Sequence, residues 1–183
     1  GKLTGDYREW FKNGKKGMEG HYKNGKLTGD RKRWHENGKR ESLGLFKNGK
    51  KDGTYVMWHE NGKKRSEEIF ISDKRHGKCL RWYKSGKKSC EVDLKKGKMF
   101  EYKSWYKDGK DLEHTLVQPD GSKKMMAWKE DGSIGAEVNF NKNDQMHGNY
   151  FFSGRDDDLD KGREFYGFVA NGKQKGTWHF IED

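Results

Sequence analysis

Residues 5–29, GDYREWFKNGKKGMEGHYKNGKLTG, contain the pattern that decides the fold. The stretch holds two Asn-Gly pairs, Asn13-Gly14 and Asn24-Gly25, with a strand-length segment before each. Asn-Gly is typical of tight hairpin turns, because glycine adopts positive φ without strain and asparagine tolerates it. The pattern therefore predicts antiparallel neighbouring strands.

The same pattern recurs along the chain, and its tryptophans mark the period. They return at a nearly constant interval, at Trp10, Trp34, Trp58, Trp82, Trp105 and Trp128. Turns this close leave no room for crossover helices, so we expect an all-β fold, an elongated antiparallel β-meander of about fifteen strands in a single-sheet repeat array. The hairpin units, about 24 residues each, are predicted near 5–28, 29–52, 53–76, 77–99, 100–122, 123–147 and 148–175.

The last unit departs from this period. An acidic insertion at 154–162 carries Asp156, Asp157, Asp158 and Asp160. It has part of a calcium-loop pattern, but Lys161 occupies the glycine position and no glutamate closes the loop, so a solvated loop is favoured. A capping strand is predicted at 176–181, where Trp178 stands outside the tryptophan column.

A second apolar column follows the tryptophans at a constant offset, at Tyr22, Phe46, Phe70, Leu94, Val117 and Phe140. Whether the two columns share a face of the sheet depends on the turn between them, because one extra residue reverses side-chain parity. A two-residue turn separates the columns, whereas a three-residue turn with glycine at a bulge unites them. We favour the bulged turn, which would gather Trp10, Met18 and Tyr22 on one face.

The composition limits the kind of core that the chain can build. Of its 183 residues 30% are hydrophobic and 14% aromatic, with a mean hydropathy of −1.35. Aromatic side chains must therefore carry the burial, and a thick two-layer core is not expected. The net charge of +11 favours an anionic partner such as phosphate, a membrane surface or an acidic protein.

Units of the form G-x-x-x-x-W-[aromatic/His]-x-N-G-K, then E-x-x-[Tyr/Phe]-x-N-G-K-x-x-G, resemble the MORN repeat variant. The pattern is visible in residues 5–29 and in GTYVMWHENGKKRSEEIF at 53–70, and the resemblance covers nearly all of residues 1–170. It implies a β-hairpin array without a catalytic site. Several bacterial proteins built of these repeats are labelled YwqK-type antitoxins, while ordinary MORN repeats are associated with membrane attachment, phosphoinositide binding and scaffolding.

Columns that vary between repeats on a fixed frame suit protein recognition. One such column holds Arg31, Tyr55, Cys79, Tyr102 and Met125. From the variable and aromatic columns we predict as binding residues Tyr7, Arg31, Tyr55, Tyr83, Tyr102 and Tyr106.

Lysines follow the turns in two rows, which a meander places at opposite margins of the sheet with a spacing of about 10 Å. The rows are Lys15, Lys39, Lys63, Lys87 and Lys110 after the first turns, and Lys26, Lys50, Lys74 and Lys98 after the second turns. They could bind an anionic surface or keep the sheet soluble, and both interpretations stay open. The predicted binding residues include Lys15, Lys39, Lys63 and Lys87.

No catalytic residue, cofactor or metal is predicted. His35 and His59 stand one repeat apart, about 9.5–10 Å, too far to share a zinc ion with bonds of about 2.0–2.1 Å. Cys79 and Cys90 are interpreted as two half-buried thiols.

We expect a non-catalytic protein that binds another macromolecule, as an antitoxin or immunity protein that sequesters a partner protein such as a cognate toxin. A basic module for membrane surfaces, anionic lipids or scaffolding is the alternative, and nucleic acid is not favoured. The cytoplasm is favoured as the location, with secretion left open because Gly1 falls within a repeat.

Overall fold

The computed structural model describes residues 1–95, 97–153, 163–170 and 173–182. These residues form strands and turns, and no helix occurs among them. The described part of the chain therefore contains no helix that is long and apolar enough to cross a membrane. The acidic insertion predicted at 154–162 lies outside the described residues.

The chain divides into two units, Gly1–Lys98 and Met99–Asp183. Strands β1 to β8 lie in the first unit: Gly5–Trp10, Lys16–Lys23, Lys26–Trp34, Arg40–Lys47, Lys50–Trp58, Lys64–Ile71, Lys74–Trp82 and Lys88–Lys95. Strands β9 to β15 follow: Lys98–Trp105, Asp111–Val117, Lys123–Trp128, Ile134–Phe140, Gly148–Ser153, Arg163–Ala170 and Lys173–Glu182. Within each unit the strands pair antiparallel in chain order, which confirms the predicted all-β meander.

The turns after β2, β4 and β6 in the first unit are tight two-residue hairpins. In the turn between β2 and β3, Asn24 and Gly25 have φ of 52° and 77°, and Lys23 pairs with Lys26 across it. Both central residues therefore adopt the positive φ that this turn requires. Ser72 and Asp73 adopt the same conformation, with φ of 50° and 68°.

The turn after each tryptophan of the column is longer and has glycine at a bulge, as predicted. Between β1 and β2, the Phe11 amide donates to Lys15 O at 2.8 Å and the Gly14 amide donates to Phe11 O at 2.9 Å. Gly14 has a φ of 79°. Glycine adopts this conformation without strain. The predicted bulged turn is thus confirmed.

The predicted sharing of one face by the two columns is wrong, because the register shifts a second time beside each tryptophan. Glu9 opposes Met18 whereas Trp10 opposes Lys16, so Gly17 is an extra residue in β2. A second extra residue reverses side-chain parity again. Trp10 therefore lies on the face opposite to that of Met18 and Tyr22. The same shift recurs at Arg33/Trp34, Met57/Trp58, Arg81/Trp82 and Ala127/Trp128.

Members of the second column and side chains beside them build the core of the first unit, on what we call the core face. Leu27, Phe46, Tyr55 and Phe70 are buried together there. The Tyr55 ring meets Phe46 and Phe70 edge-on, with centroids 6.3 and 6.1 Å away. Burial of such a side chain contributes about 1.5–3 kcal/mol, so this cluster supplies much of the unit's stability. The opposite face, which carries Trp10, Trp34, Trp58 and Trp82, is called the tryptophan face below.

The second unit buries smaller side chains. Among the residues of this unit whose burial the structure describes, Ser104, Thr115, Ala136 and Val138 are buried. Thr115 lies between Tyr102 on β9 and Met125 on β11, its neighbours across the sheet. The aromatic cluster of the first unit has no counterpart among the residues described as buried in the second.

Candidate functional site

Three side chains that directly follow a tryptophan join neighbouring repeats at the first-turn margin. His35 Nε2 donates to Trp58 O at 3.0 Å, and His59 Nε2 donates to Trp82 O at 2.9 Å. In the second unit the Tyr106 hydroxyl donates to Trp128 O at 2.9 Å. These side chains donate hydrogen bonds to backbone carbonyls one repeat away. Tyr106, a predicted binding residue, therefore helps to hold neighbouring repeats together.

Asparagine and lysine side chains continue this connection from turn to turn. Asn37 Nδ2 donates to Glu60 O at 2.9 Å, and Lys39 Nζ donates to Asn61 O at 3.0 Å. Lys15 Nζ bonds to Asn37 O in the same way, as does Lys63 Nζ to Ser85 O. Three of the four lysines predicted to bind a partner therefore use a donor to hold the next turn.

Two substitutions of Asn37 distinguish the contributions of the two hydrogen bonds that its side-chain amide makes. Asn37→Ala loses the bond to Glu60 O and also the acceptor for the Lys39 amide, 2.9 Å away. We expect the free energy of unfolding to fall by about 2 kcal/mol, because two hydrogen bonds are lost and each contributes about 1 kcal/mol. Asn37→Asp keeps the acceptor and should cost less. Urea unfolding measures both, and a midpoint of Asn37→Asp equal to that of the parent protein would contradict the role of the inter-repeat bond.

Lysines at the second-turn margin differ from those at the first. Lys23, Lys26, Lys47, Lys50 and Lys74 are all exposed. None of these five ammonium groups forms a hydrogen bond or an ion pair with any residue that the structure describes. The sequence predicts two equivalent basic rows, whereas the structure distinguishes the two margins of the first unit by how their lysines are used.

Exposed aliphatic side chains lie beside these lysines. Leu45, Ile69 and Ile71 are 46%, 39% and 53% exposed. They alternate with the buried Phe46 and Phe70 along β4 and β6, so they lie on the tryptophan face. Lys23 pairs with Lys26, Lys47 with Lys50, and Ile71 with Lys74, which places all of them on that same face. We call this set the second-turn patch: Lys23, Lys26, Leu45, Lys47, Lys50, Ile69, Ile71 and Lys74.

Several charges elsewhere on the tryptophan face are paired. Glu19 contacts Lys16 at 2.8 Å and Lys32 at 3.2 Å. Glu91 accepts from Lys78 and, at 2.8 Å, from Lys88. The hydrogen bond from Lys78, which has the larger effect, and that from Lys88 hold the pKa of Glu91 below its ordinary value of 4.5. These paired lysines thus differ from the lysines of the second-turn patch, whose ammonium groups have no partner among the residues that the structure describes.

The lowered pKa of Glu91 predicts a contribution to acid sensitivity. Its carboxylate stabilises the folded state above about pH 4.5, and that contribution is lost as the pH falls through the lower folded-state pKa. Glu91→Gln should therefore lower the urea midpoint at about pH 6 and have a smaller effect at about pH 3. A difference from the parent protein that is the same at both pH values would contradict this assignment.

The other predicted binding residues are not part of the second-turn patch. Tyr7 packs edge-on against Tyr22 with centroids 5.8 Å apart, and the Arg31 guanidinium lies 5.5 Å from the centre of the Phe46 ring. Tyr55 is 8% exposed and belongs to the core. The structure brings Tyr7, Arg31 and Tyr55 to the core face. Tyr83 follows a tryptophan at a first turn, Lys87 closes that turn, and Tyr102 lies in the second unit.

The aliphatic part of the patch was missed by the sequence analysis, although a signal for it exists. The position just before the apolar column is His21, Leu45, Ile69 and Asp93 in consecutive repeats of the first unit. This position varies more strongly in polarity than the apolar column beside it. Its exposure becomes evident only when the face of the neighbouring apolar column is known.

The described residues contain no group of three or more His, Cys, Asp or Glu side chains that could hold a metal ion. Cys79 is buried and Cys90 half-buried, and no disulfide joins them; burial raises the pKa of Cys79.

Comparison with known protein families gives a match to the MORN repeat variant over residues 3–24, 27–48 and 51–71. All three segments lie in the first unit, and over them the predicted resemblance is confirmed. MORN repeats are generally associated with binding to proteins or membrane surfaces. No match was found among curated proteins.

Proposed function

We propose that the chain is a non-catalytic repeat protein that binds another protein through the tryptophan face of its first unit. The observation that carries this proposal is the exposure of Leu45, Ile69 and Ile71 together on that face. Apolar side chains clustered at a surface and surrounded by polar ones are the usual centre of a protein interface.

Variation at equivalent positions supports a recognition role. The turns and the apolar core column recur in each repeat, whereas the residue type in one neighbouring column changes from repeat to repeat. This column holds His21, Leu45, Ile69 and Asp93. A regular frame with a variable face is how repeat proteins acquire specificity for one partner. The family match, with its general association with binding, agrees with this role.

The non-catalytic part of the proposal rests on how polar side chains are used. His35 and His59, which could otherwise act as acids or bases, donate to backbone carbonyls of the next repeat. A side chain that holds the frame in this way is poorly placed to transfer protons to a substrate.

Within this role we propose an antitoxin or immunity protein that sequesters a toxin. The test is co-expression with the product of the adjacent reading frame, scored by growth and by co-elution of a complex. We expect rescue of growth by the parent chain and by Tyr55→Phe, and loss of rescue by Ile69→Ser/Ile71→Ser. Failure of the parent chain to rescue growth, together with no co-eluting complex, would exclude the antitoxin role.

Binding to an anionic membrane is a second candidate, favoured by the unpaired lysines of the second-turn patch. Sedimentation with two kinds of vesicle, one containing phosphatidylserine and one only phosphatidylcholine, tests this candidate at an ionic strength of about 0.15 M. Co-sedimentation with phosphatidylserine vesicles alone would favour the membrane. If the chain bound neither kind of vesicle, this candidate would be excluded.

A further inference from the structure

We infer that the second-turn patch docks an acidic protein segment whose apolar side chains pack on Leu45, Ile69 and Ile71 while its carboxylates meet the surrounding lysines. This inference rests on the proposed function and specifies the chemistry of the partner.

The aliphatic side chains form a contact surface with defined spacing. Leu45 and Ile69 occupy equivalent positions one repeat apart, so two strand spacings separate them by about 9.5–10 Å. Ile71 stands two residues beyond Ile69 on the same strand, about 7 Å away. Three apolar contacts at these distances fit side chains from a single segment of a partner.

Charge decides what kind of segment fits. The patch holds Lys23, Lys26, Lys47, Lys50 and Lys74, and the nearby carboxylates are those of Asp30, which lies opposite Leu45 in the pairing of β3 with β4, and of Asp52 and Asp73. Asp52 and Asp73 already accept from backbone amides, Asp52 from Ser72 at 3.3 Å and Asp73 from Lys51 at 2.7 Å. The patch therefore keeps an excess of positive charge, which an acidic segment complements.

The same charge argues against a second copy of this chain. Two copies meeting through this patch would place their unpaired lysines against each other, and each chain carries a net charge of +11. Like charges brought together at an interface disfavour the complex.

The position of the aliphatic side chains favours a protein over a membrane. Peripheral membrane contacts bury an apolar surface in the headgroup layer and leave charged groups at its edge. Here the outermost residues at this margin are the polar turn pairs Asn24-Gly25, Asn48-Gly49 and Ser72-Asp73. The aliphatic residues lie behind them on the strands, where a protein segment lying on the sheet can reach them.

Fluorescence anisotropy with three labelled synthetic peptides tests the inference. One peptide combines glutamate with leucine, one glutamate with serine, and one lysine with leucine. We expect the first to bind the parent chain at least about tenfold more tightly than the other two. Ile69→Ser/Ile71→Ser and Lys47→Glu/Lys50→Glu should each weaken that binding by about tenfold or more.

The matched control is Lys12→Glu/Lys84→Glu, which makes the same change of charge at the first-turn margin, where both lysines are exposed. It should leave peptide binding unchanged. Equal weakening by this control would show attraction by net charge and overturn the inference. The inference would also be overturned if the glutamate-leucine peptide did not bind, or if the chain bound phosphatidylserine vesicles and not this peptide. If a complex with the neighbouring gene product still forms, the proposed function stands and only the partner chemistry is wrong.

Discussion

Tyr55→Ala is expected to lower the free energy of unfolding by about 3–5 kcal/mol, the range measured for large aromatic truncations in protein cores. The Tyr55 ring packs edge-on against Phe46 and Phe70, and Lys51 Nζ lies 3.9 Å from its centre. A cavity here would open at the centre of the aromatic cluster. The loss should appear in urea unfolding and in the melting temperature.

Tyr55→Phe is the matched control, because it keeps the ring and removes only the hydroxyl. The hydroxyl makes no hydrogen bond with the described residues. Its removal should therefore change the free energy of unfolding by less than about 0.5 kcal/mol. The pair also separates the two roles considered for this residue. If Tyr55→Ala weakened partner binding but left the urea midpoint unchanged, Tyr55 would be a binding residue, as the sequence analysis predicts, and not part of the core.

Gly44→Ala is the second large expected effect, about 3 kcal/mol of destabilisation, at the upper end of the range for overpacking. Gly44 lies opposite Tyr55 in the pairing of β4 with β5. An alanine Cβ at this position would overlap Tyr55 Cδ2 and stand 2.6 Å from Cε2. Neither atom is the free end of a flexible chain, so the ring itself would have to leave the cluster. Thermal and urea unfolding measure the loss.

Two comparisons test this cause. Gly17→Ala places its Cβ no closer than 3.4 Å to Glu9 O and 3.6 Å to the Phe11 ring, which are ordinary contacts. It should therefore destabilise the protein much less. In a Tyr55→Ala background the clash is absent, so Gly44→Ala should cost little there, a coupling that a double-mutant cycle reports. Additive effects of the two substitutions would contradict the steric explanation.

Much of the fold could be predicted from local sequence. The Asn-Gly pairs at Asn24-Gly25 and Asn48-Gly49 form the tight hairpins that their φ preferences favour, and Gly14 takes the bulge position. These outcomes depend on a few consecutive residues and on backbone sterics. The turn pairs and the period of the tryptophans were together enough to predict an antiparallel meander.

The candidate site could be predicted only in part. Lys26, Lys50 and Lys74 were identified as a basic row, and they lie in the second-turn patch. The sequence could not distinguish them from Lys15 and Lys39, because the difference lies in backbone carbonyls one repeat away. Such a bond depends on how neighbouring turns align in space, which no local pattern encodes.

The sequence by itself determined the period, the turn chemistry and the antiparallel order of the strands. Only the tertiary structure decided which side chains share a face. The physical reason is parity, because side chains alternate with a period of two and a single extra residue sends a whole column to the other side. Gly17 is that residue in the first hairpin, where Glu9 opposes Met18 and Trp10 opposes Lys16. The equivalent shift in later hairpins places Phe46 in the core, and it leaves Leu45 and Ile69 on the face where we expect the partner to bind.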